Sequence, residues 1–282
     1  MQTPPGPELS AEDFEKFRDF FYRKTGIYFD ESKRYFVDKR IFQRMDETEN
    51  RTFREYFSFM RFQASQQEYQ QVVNLMTVNE TYFFREEYQL KCMVGPVLDE
   101  IARRSRGGGP IRILSIPCST GEEPYSIALY LIEYWPRIAD FDVQIYGADI
   151  DTNVLAQCKA GVFSTRSVQY LPRAILGRHF QPLPQERYLL SAELRDCVEF
   201  THVNLSDPLQ MLRLRNFDLI FCRNLLIYFD DASRRKAAES FYDALKPGGF
   251  IFLGHSESMS RMSSLFKVRK FDDAIAYQKP QT

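Results

Sequence analysis

The chain has 282 residues, 44% apolar and 27% charged, which is enough to build one large globular domain or two smaller ones. Its 37 basic residues against 38 acidic ones give a formal charge of -1, which argues against a protein that grips a polyanion along its whole surface. No apolar run reaches membrane-spanning length, and the five dispersed cysteines and three histidines form no disulfide pattern or ligand cluster. Reduced thiols in a cytoplasmic protein without a metal are the expectation.

Taken in chain order, the first quarter reads as helices. Ser10 before Glu12 and Asp13 is an N-cap with first-turn acids; Phe14, Phe17 and Phe21 follow at helical spacing, and Gly26 ends the helix. Further helices are predicted over 32–45, over 52–63 with Phe53, Tyr56, Phe57 and Met60 as its apolar stripe, and over 66–76. The pattern predicts a helical domain over 8–76 and a linker over 77–110, the latter ending in a Ser-Arg-Gly-Gly-Gly-Pro stretch.

From Ile111 the character changes. Short apolar runs over 111–116, 143–148, 198–203, 217–222 and 250–253 alternate with helical patterns over 125–135, 152–159 and 232–245. Such alternation predicts an α/β, Rossmann-like doubly wound sheet over 111–280. Residues 267–278 suit a final hairpin. The stretch 171–197 breaks the alternation with Pro172, Pro182 and Pro184, and reads as a small inserted β subdomain or as a surface excursion.

Four segments carry candidate chemistry. Leu114-Ser-Ile-Pro-Cys-Ser-Thr-Gly-Glu-Glu-Pro-Tyr-Ser126 follows the first strand and opens a helix, where a doubly wound sheet receives a nucleotide-like cofactor. Glu122 and Glu123 would repel a pyrophosphate there and welcome an ammonium and a sulfonium; the simpler reading is that they complement the helix dipole. Asp149, at the end of the second strand, can accept ribose hydroxyl protons, whereas Asp151 suits the cap of the next helix. Cys222-Arg-Asn-Leu-Leu-Ile-Tyr-Phe-Asp230 follows the fourth strand and could bring the Asn224 amide and the Tyr228 phenol to a reacting methyl. It lacks the prolines of the Asn-Pro-Pro-Tyr motif of adenine methyltransferases and is one residue longer. Asn79-Glu-Thr-Tyr-Phe-Phe-Arg-Glu86 alternates polar and aromatic residues without core periodicity, as a linker folded over a cofactor would.

These segments resemble the CheR-type chemoreceptor glutamate methyltransferases, together with Val203-Asn-Leu205, Leu245-Lys-Pro-Gly-Gly249 and Gly254-His-Ser-Glu-Ser258. The resemblance covers roughly 14–278. It implies a class I S-adenosylmethionine-dependent methyltransferase domain behind a helical N-terminal domain, with S-adenosylhomocysteine as product. It also implies that Asn79, Thr81, Arg85, Glu122, Asp149, Asn204, Leu205, Asn224 and Leu225 contact S-adenosylmethionine, with Tyr228 beside the methyl. The substrate it implies is a glutamate on the cytoplasmic helical domain of a methyl-accepting chemoreceptor, with no nucleic acid and no membrane insertion. Two departures stand out. Pro117 replaces the usual small residue after the first strand, and the turn in 181–186 lacks the longer, glycine-bearing form of members that tether to a receptor tail, so tail-peptide binding is not expected.

On a helical projection of 32–45, Lys33, Arg40 and Arg44 share one face, opposite Ile41, Phe42 and Met45. That face is either solvated or docks an acidic receptor bundle. The competing functions are a non-catalytic cofactor-binding scaffold and a nucleic-acid methyltransferase.

Overall fold

A computed structural model describes residues 8–63, 65–104 and 108–281; Ser105 to Gly107 of the glycine-rich stretch lie outside them. The helical domain holds α1 (Ala11–Thr25), α2 (Arg34–Glu47), α3 (Phe53–Phe62) and α4 (Gln67–Met76). Their ends follow local chemistry. The Ser10 hydroxyl accepts from the Asp13 N–H at 3.1 Å, and Gly26 closes α1 at φ 73°. Thr52 and Glu55 form a reciprocal capping box on α3. The start of α2 differs from expectation: Glu31–Lys33 is a separate 3-10 turn capped by Asp30.

The linker is more structured than its sequence suggests. It carries α5 (Glu87–Cys92) and α6 (Leu98–Arg104), joined through a widened π-type turn, Met93–Val97. Pro96 lies inside that turn, where it can donate no N–H to an α-helical ladder. Beyond it come β1 (Ile111–Ser115), α7 (Glu122–Tyr134), β2 (Val143–Asp149) and α8 (Thr152–Ala160). The excursion that follows contains β3 (Val162–Ser164), α9 (Thr165–Val168), α10 (Arg173–His179), β4 (Phe180–Leu183), β5 (Arg187–Leu190) and α11 (Ala192–Asp196). The chain then completes the main sheet with β6 (Val198–His202), α12 (Pro208–Met211), β7 (Phe217–Cys222), α13 (Asp231–Ala244), β8 (Leu245–Leu253), β9 (Lys267–Lys270) and β10 (Ile275–Gln278).

The main sheet runs β6-β2-β1-β7-β8-β10-β9. The first five strands pair in parallel and the last two antiparallel. Every residue of β7 is buried, as a strand covered on both faces requires. The chain winds outward from β1 through β2 to β6 and in the other direction from β7 to β8, so the crevice between β1 and β7 is the topological switch point. A second sheet, β3-β5-β4, is the small subdomain. It begins at Val162, earlier than the proline-rich stretch that announces it.

The helical domain is not a free appendage. Phe14, Phe17 and Phe21 of α1 belong to the same continuous apolar core as Leu205, Phe229 and Phe241. Ile27 bridges to Phe229 in antiparallel fashion, and the Tyr22 hydroxyl donates to Asp230 Oδ2 at 2.7 Å. Ser206 Oγ donates to the Thr25 carbonyl, and Asn74 Nδ2 donates to Thr152 Oγ1. These contacts fix the helical domain across the carboxyl ends of the parallel strands.

Candidate active site

The roof thus formed encloses a cleft of about 470 Å³ at the switch point. One wall is Pro117, Asp149 and Ile150 after β1 and β2; the opposite wall is Asn224, Leu225, Ile227 and Tyr228 after β7. The helical domain and linker add Phe29, Lys33, Phe36, Val78 and Asn79. A smaller hollow that shares Pro117, Asp149 and Leu225 with it is lined by Asn204 and Leu205. Thr81, Arg85 and Glu122 line neither space.

Asp149 sits at the floor, 3% exposed. Its carboxylate accepts from the Ser119 N–H at 2.8 Å and the Asp151 N–H at 3.0 Å, and no cation pairs with it among the described residues. Burial pushes its pKa up to about 7, with the backbone donors opposing that rise and the neighbouring Asp151 adding to it. Ser119 holds φ 48°, and its buried hydroxyl has no hydrogen-bond partner. A buried acceptor-only carboxylate beside an orphaned hydroxyl is an arrangement suited to a polyhydroxylated ligand.

Asp151 caps α8 through the Asn153 and Val154 N–H groups, and its other oxygen accepts from Thr77 Oγ1 and Asn79 Nδ2. Asn79 is therefore occupied in tying the linker to the cap. Arg85 donates to the Glu80 carbonyl at 2.5 Å, and its own carbonyl accepts from Arg223.

The two adjacent acids after β1 separate in role. Glu123 accepts from the buried Arg223 and from Ser115 Oγ, so it is spent on structure. Glu122, 2% exposed, accepts from the hydroxyls of Thr120 and Ser167 and pairs with no cation among the described residues, and burial raises its pKa. A carboxylate held by neutral hydroxyls retains affinity for an ammonium.

Asn224 lies in the left-handed region at φ 59°. Tyr228 is half-buried, and burial keeps its phenol protonated, with Arg85 pulling the other way. The Tyr228 carbonyl accepts from the Tyr28 N–H at 3.2 Å, so the helical domain holds this loop directly.

Two residues that sequence reasoning passed over organise the site. Arg223 ties α7, through Glu123, to the linker, through the Arg85 carbonyl. Glu257 accepts from the N–H groups of Asn224, Leu226 and Gly254. Both stand inside motifs the sequence displays, but their partners lie far away along the chain.

The expected cationic face of α2 is corrected by the structure. Arg44 makes a two-pronged pair with Glu68 of α4, at 2.9 and 2.6 Å, and also meets Glu47. Arg40 donates to the Leu75 carbonyl at 2.7 Å and to the Phe36 carbonyl at 3.2 Å. Both guanidiniums pin α2 to its surroundings, and of the three cations only Lys33 opens on the cleft. Arg44→Ala should accordingly destabilise the protein by about 1.5–3 kcal/mol, because Glu68, which also accepts from the Tyr56 hydroxyl, loses its charged partner. Urea unfolding measures this; a midpoint unchanged from wild type would return Arg44 to the list of free surface cations.

Comparison with known proteins gives the family. The CheR methyltransferase SAM binding domain matches residues 79–275, and the CheR methyltransferase all-alpha domain matches residues 12–77. The chain belongs to the CheR methyltransferase family. It is 54% identical to chemotaxis protein methyltransferase 2 of Vibrio cholerae, over 96% of this chain and 94% of that protein. It is also 36% identical to chemotaxis protein methyltransferase 2 of Pseudomonas aeruginosa, over 92% of this chain and 90% of that one. A third relative, the chemotaxis protein methyltransferase of Escherichia coli, is 33% identical over 93% of this chain and 89% of its own length.

As a CheR protein this chain is an S-adenosylmethionine-dependent methyltransferase of class I fold, acting in chemotaxis. The residues present fit that cofactor. Asp149, bonded to the backbone of Ser119 with its orphaned hydroxyl, suits a ribose, and the apolar walls at Ile150, Leu225 and Phe36 suit an adenine ring, whereas Glu122 lies outside the cleft lining. No helix of the described residues is long and apolar enough to cross a membrane.

Proposed function

We propose that the chain methylates glutamate side chains on the cytoplasmic helical domain of a methyl-accepting chemoreceptor, working in the cytoplasm. The observation that carries this reading is the chemistry of the cleft wall. Among the described residues it contains no histidine and no cysteine, and each of its three carboxylates is already committed to donors: Asp30 to Ser32, Asp149 to backbone N–H groups, Asp230 to Tyr22 and Ser233. An amine or hydroxyl acceptor would need a general base. A glutamate, with an unperturbed pKa of about 4.3, arrives ionised and needs none.

S-adenosylmethionine brings a methyl already activated by its sulfonium. The protein's share is to hold and orient. Asp149 accepts the ribose hydroxyls, Leu225 and Ile150 cover apolar surface, and Asn224 and Tyr228 present an amide and a phenol to the acceptor carboxylate. Orientation of this kind contributes roughly 7–11 kcal/mol in well-aligned reactions. Because opposite charges would cancel as the methyl moves, a drier site would favour the transfer, and the aromatic side chains of Phe29, Phe36 and Tyr228 line the cleft. Lys33 is the only cationic residue lining the cleft among the described residues, and it is suited to draw in an acidic receptor helix.

Tyr228→Phe should lower turnover about tenfold, near 1.4 kcal/mol of barrier, while cofactor affinity stays within twofold or so, because the phenol orients the acceptor rather than the adenosine. Steady-state rates beside calorimetric titration separate the two; equal turnover would make Tyr228 a packing residue.

The small sheet bears on how the receptor is held. Its β4–β5 hairpin turns through Gln185 and Glu186, at φ 61° and 52°, with no glycine. This short turn supports the expectation that a receptor's C-terminal tail peptide does not bind. Titration with such a peptide should give no heat; a micromolar Kd would restore tethering.

A further inference from the structure

The loop after β7 presents both Asn224 and Tyr228, yet it is not held by its own sequence. Asn224 takes a left-handed backbone conformation without being glycine, a cost that only surrounding contacts can sustain. Those contacts converge on one side chain from another loop. Glu257 Oε2 accepts from the Asn224 N–H at 2.9 Å and from the Gly254 N–H at 2.8 Å, and Glu257 Oε1 accepts from the Leu226 N–H at 2.7 Å. No cation pairs with this carboxylate among the described residues, so its charge is balanced by backbone dipoles alone. Space around the knot is tight. A Cβ on Gly254 would stand 2.9 Å from the Asn224 nitrogen, 2.9 Å from Glu257 Oε2 and 3.0 Å from Asn224 Nδ2.

We infer that Glu257 is the positioning residue for methyl transfer: its carboxylate gathers the backbone of residues 224–226 so that the Asn224 amide and the Tyr228 ring face the cleft. The Asn224 backbone N–H is satisfied from behind, which leaves the side-chain amide for the ligand side. Glu257 borders a separate groove with Tyr88, His255 and Phe271 and does not line the cleft, so it acts through the loop and not on substrate. This inference rests on the roles given above to Asn224 and Tyr228.

Glu257→Gln is the sharpest probe. Either orientation of the amide turns an NH2 group toward a backbone N–H, so a donor meets a donor on one side. With labelled S-adenosylmethionine and a receptor cytoplasmic fragment, kcat should fall about 10- to 100-fold, the loss expected of a misplacement near 1 Å. KM for the fragment should stay within about threefold. Coupled to Tyr228→Phe, the double variant should be no slower than the slower single variant, because both changes remove the same oriented phenol. Hydrogen exchange at the Asn224 and Leu226 amides should quicken in Glu257→Gln, a readout independent of turnover. Gly254→Ala, whose methyl presses on the same knot while leaving the Glu257 carboxylate chemically intact, should reproduce the fall in kcat and serves if Glu257→Gln does not fold. Additive rate losses in the double variant, or an active wild type beside an unchanged kcat in both Glu257→Gln and Gly254→Ala, would overturn the inference and leave the proposed function standing. A wild type that does not methylate the fragment would overturn both.

Discussion

Asp149→Ala should weaken S-adenosylmethionine binding by about 1.5–3 kcal/mol, roughly 10- to 150-fold in Kd, while circular dichroism stays that of wild type. The carboxylate sits at the cleft floor, 3% exposed, and no cation among the described residues pairs with it. The same burial gives the interaction a pH dependence. The pKa of Asp149 is raised from 3.8 to about 7, so without ligand the group is largely protonated below that value. Ribose hydroxyls donate best to the ionised form, so binding releases a proton. Affinity should therefore rise close to tenfold per pH unit up to about 7 and level off above it. The unliganded fold responds oppositely. A carboxyl with a raised folded-state pKa contributes stability that is full below its unfolded value and lost as pH rises through about 7. Calorimetry from pH 5.5 to 8 tests both. A flat affinity profile, or equal Kd for wild type and Asp149→Ala, would remove Asp149 from the cofactor site.

Arg223→Ala is the other large effect. Arg223 is 7% exposed and its partner Glu123 is also 7% exposed, so truncation strands a buried carboxylate. Removing one partner of a buried pair costs about 3–5 kcal/mol, a large fraction of the stability of an ordinary domain. The loss should also loosen the linker, because the guanidinium is what holds the Arg85 carbonyl. Denaturant unfolding should show the fall, and limited proteolysis should open first between residues 77 and 86. A variant as stable as wild type would mean that Glu123 finds another donor.

How far the sequence carries depends on whether a feature is local. β7 stands at Phe217–Cys222 as the apolar run predicts, because six consecutive buried positions leave one strand-length reading. The caps at Ser10, Gly26, Asp151 and Gly161 are equally local, each set by the residue's own backbone or side-chain chemistry. The cleft positions of Asp149, Asn224 and Tyr228 follow from the rule that ligands meet the carboxyl ends of parallel strands.

Features set by distant partners stayed hidden. A helical projection puts Arg40 and Arg44 on one face, but it cannot show that Glu68 and the Leu75 carbonyl of α4 wait there. Glu122 and Glu123 look alike until Arg223, a hundred positions later, pairs with one of them. β3 is too short to show a period of two, and its strand character comes from pairing with β5. Glu257 gains its role only when the loop after β8 folds against the loop after β7.

The most direct test of the account is transfer itself. Purified protein is incubated with S-adenosylmethionine labelled in the methyl group and with three acceptors together: a chemoreceptor cytoplasmic fragment, RNA and DNA. Label is expected in the receptor fragment alone, released as methanol by mild base, and mapped by mass spectrometry to glutamate. Label in nucleic acid, base-stable label in the fragment, or bound cofactor without transfer to any acceptor would contradict it.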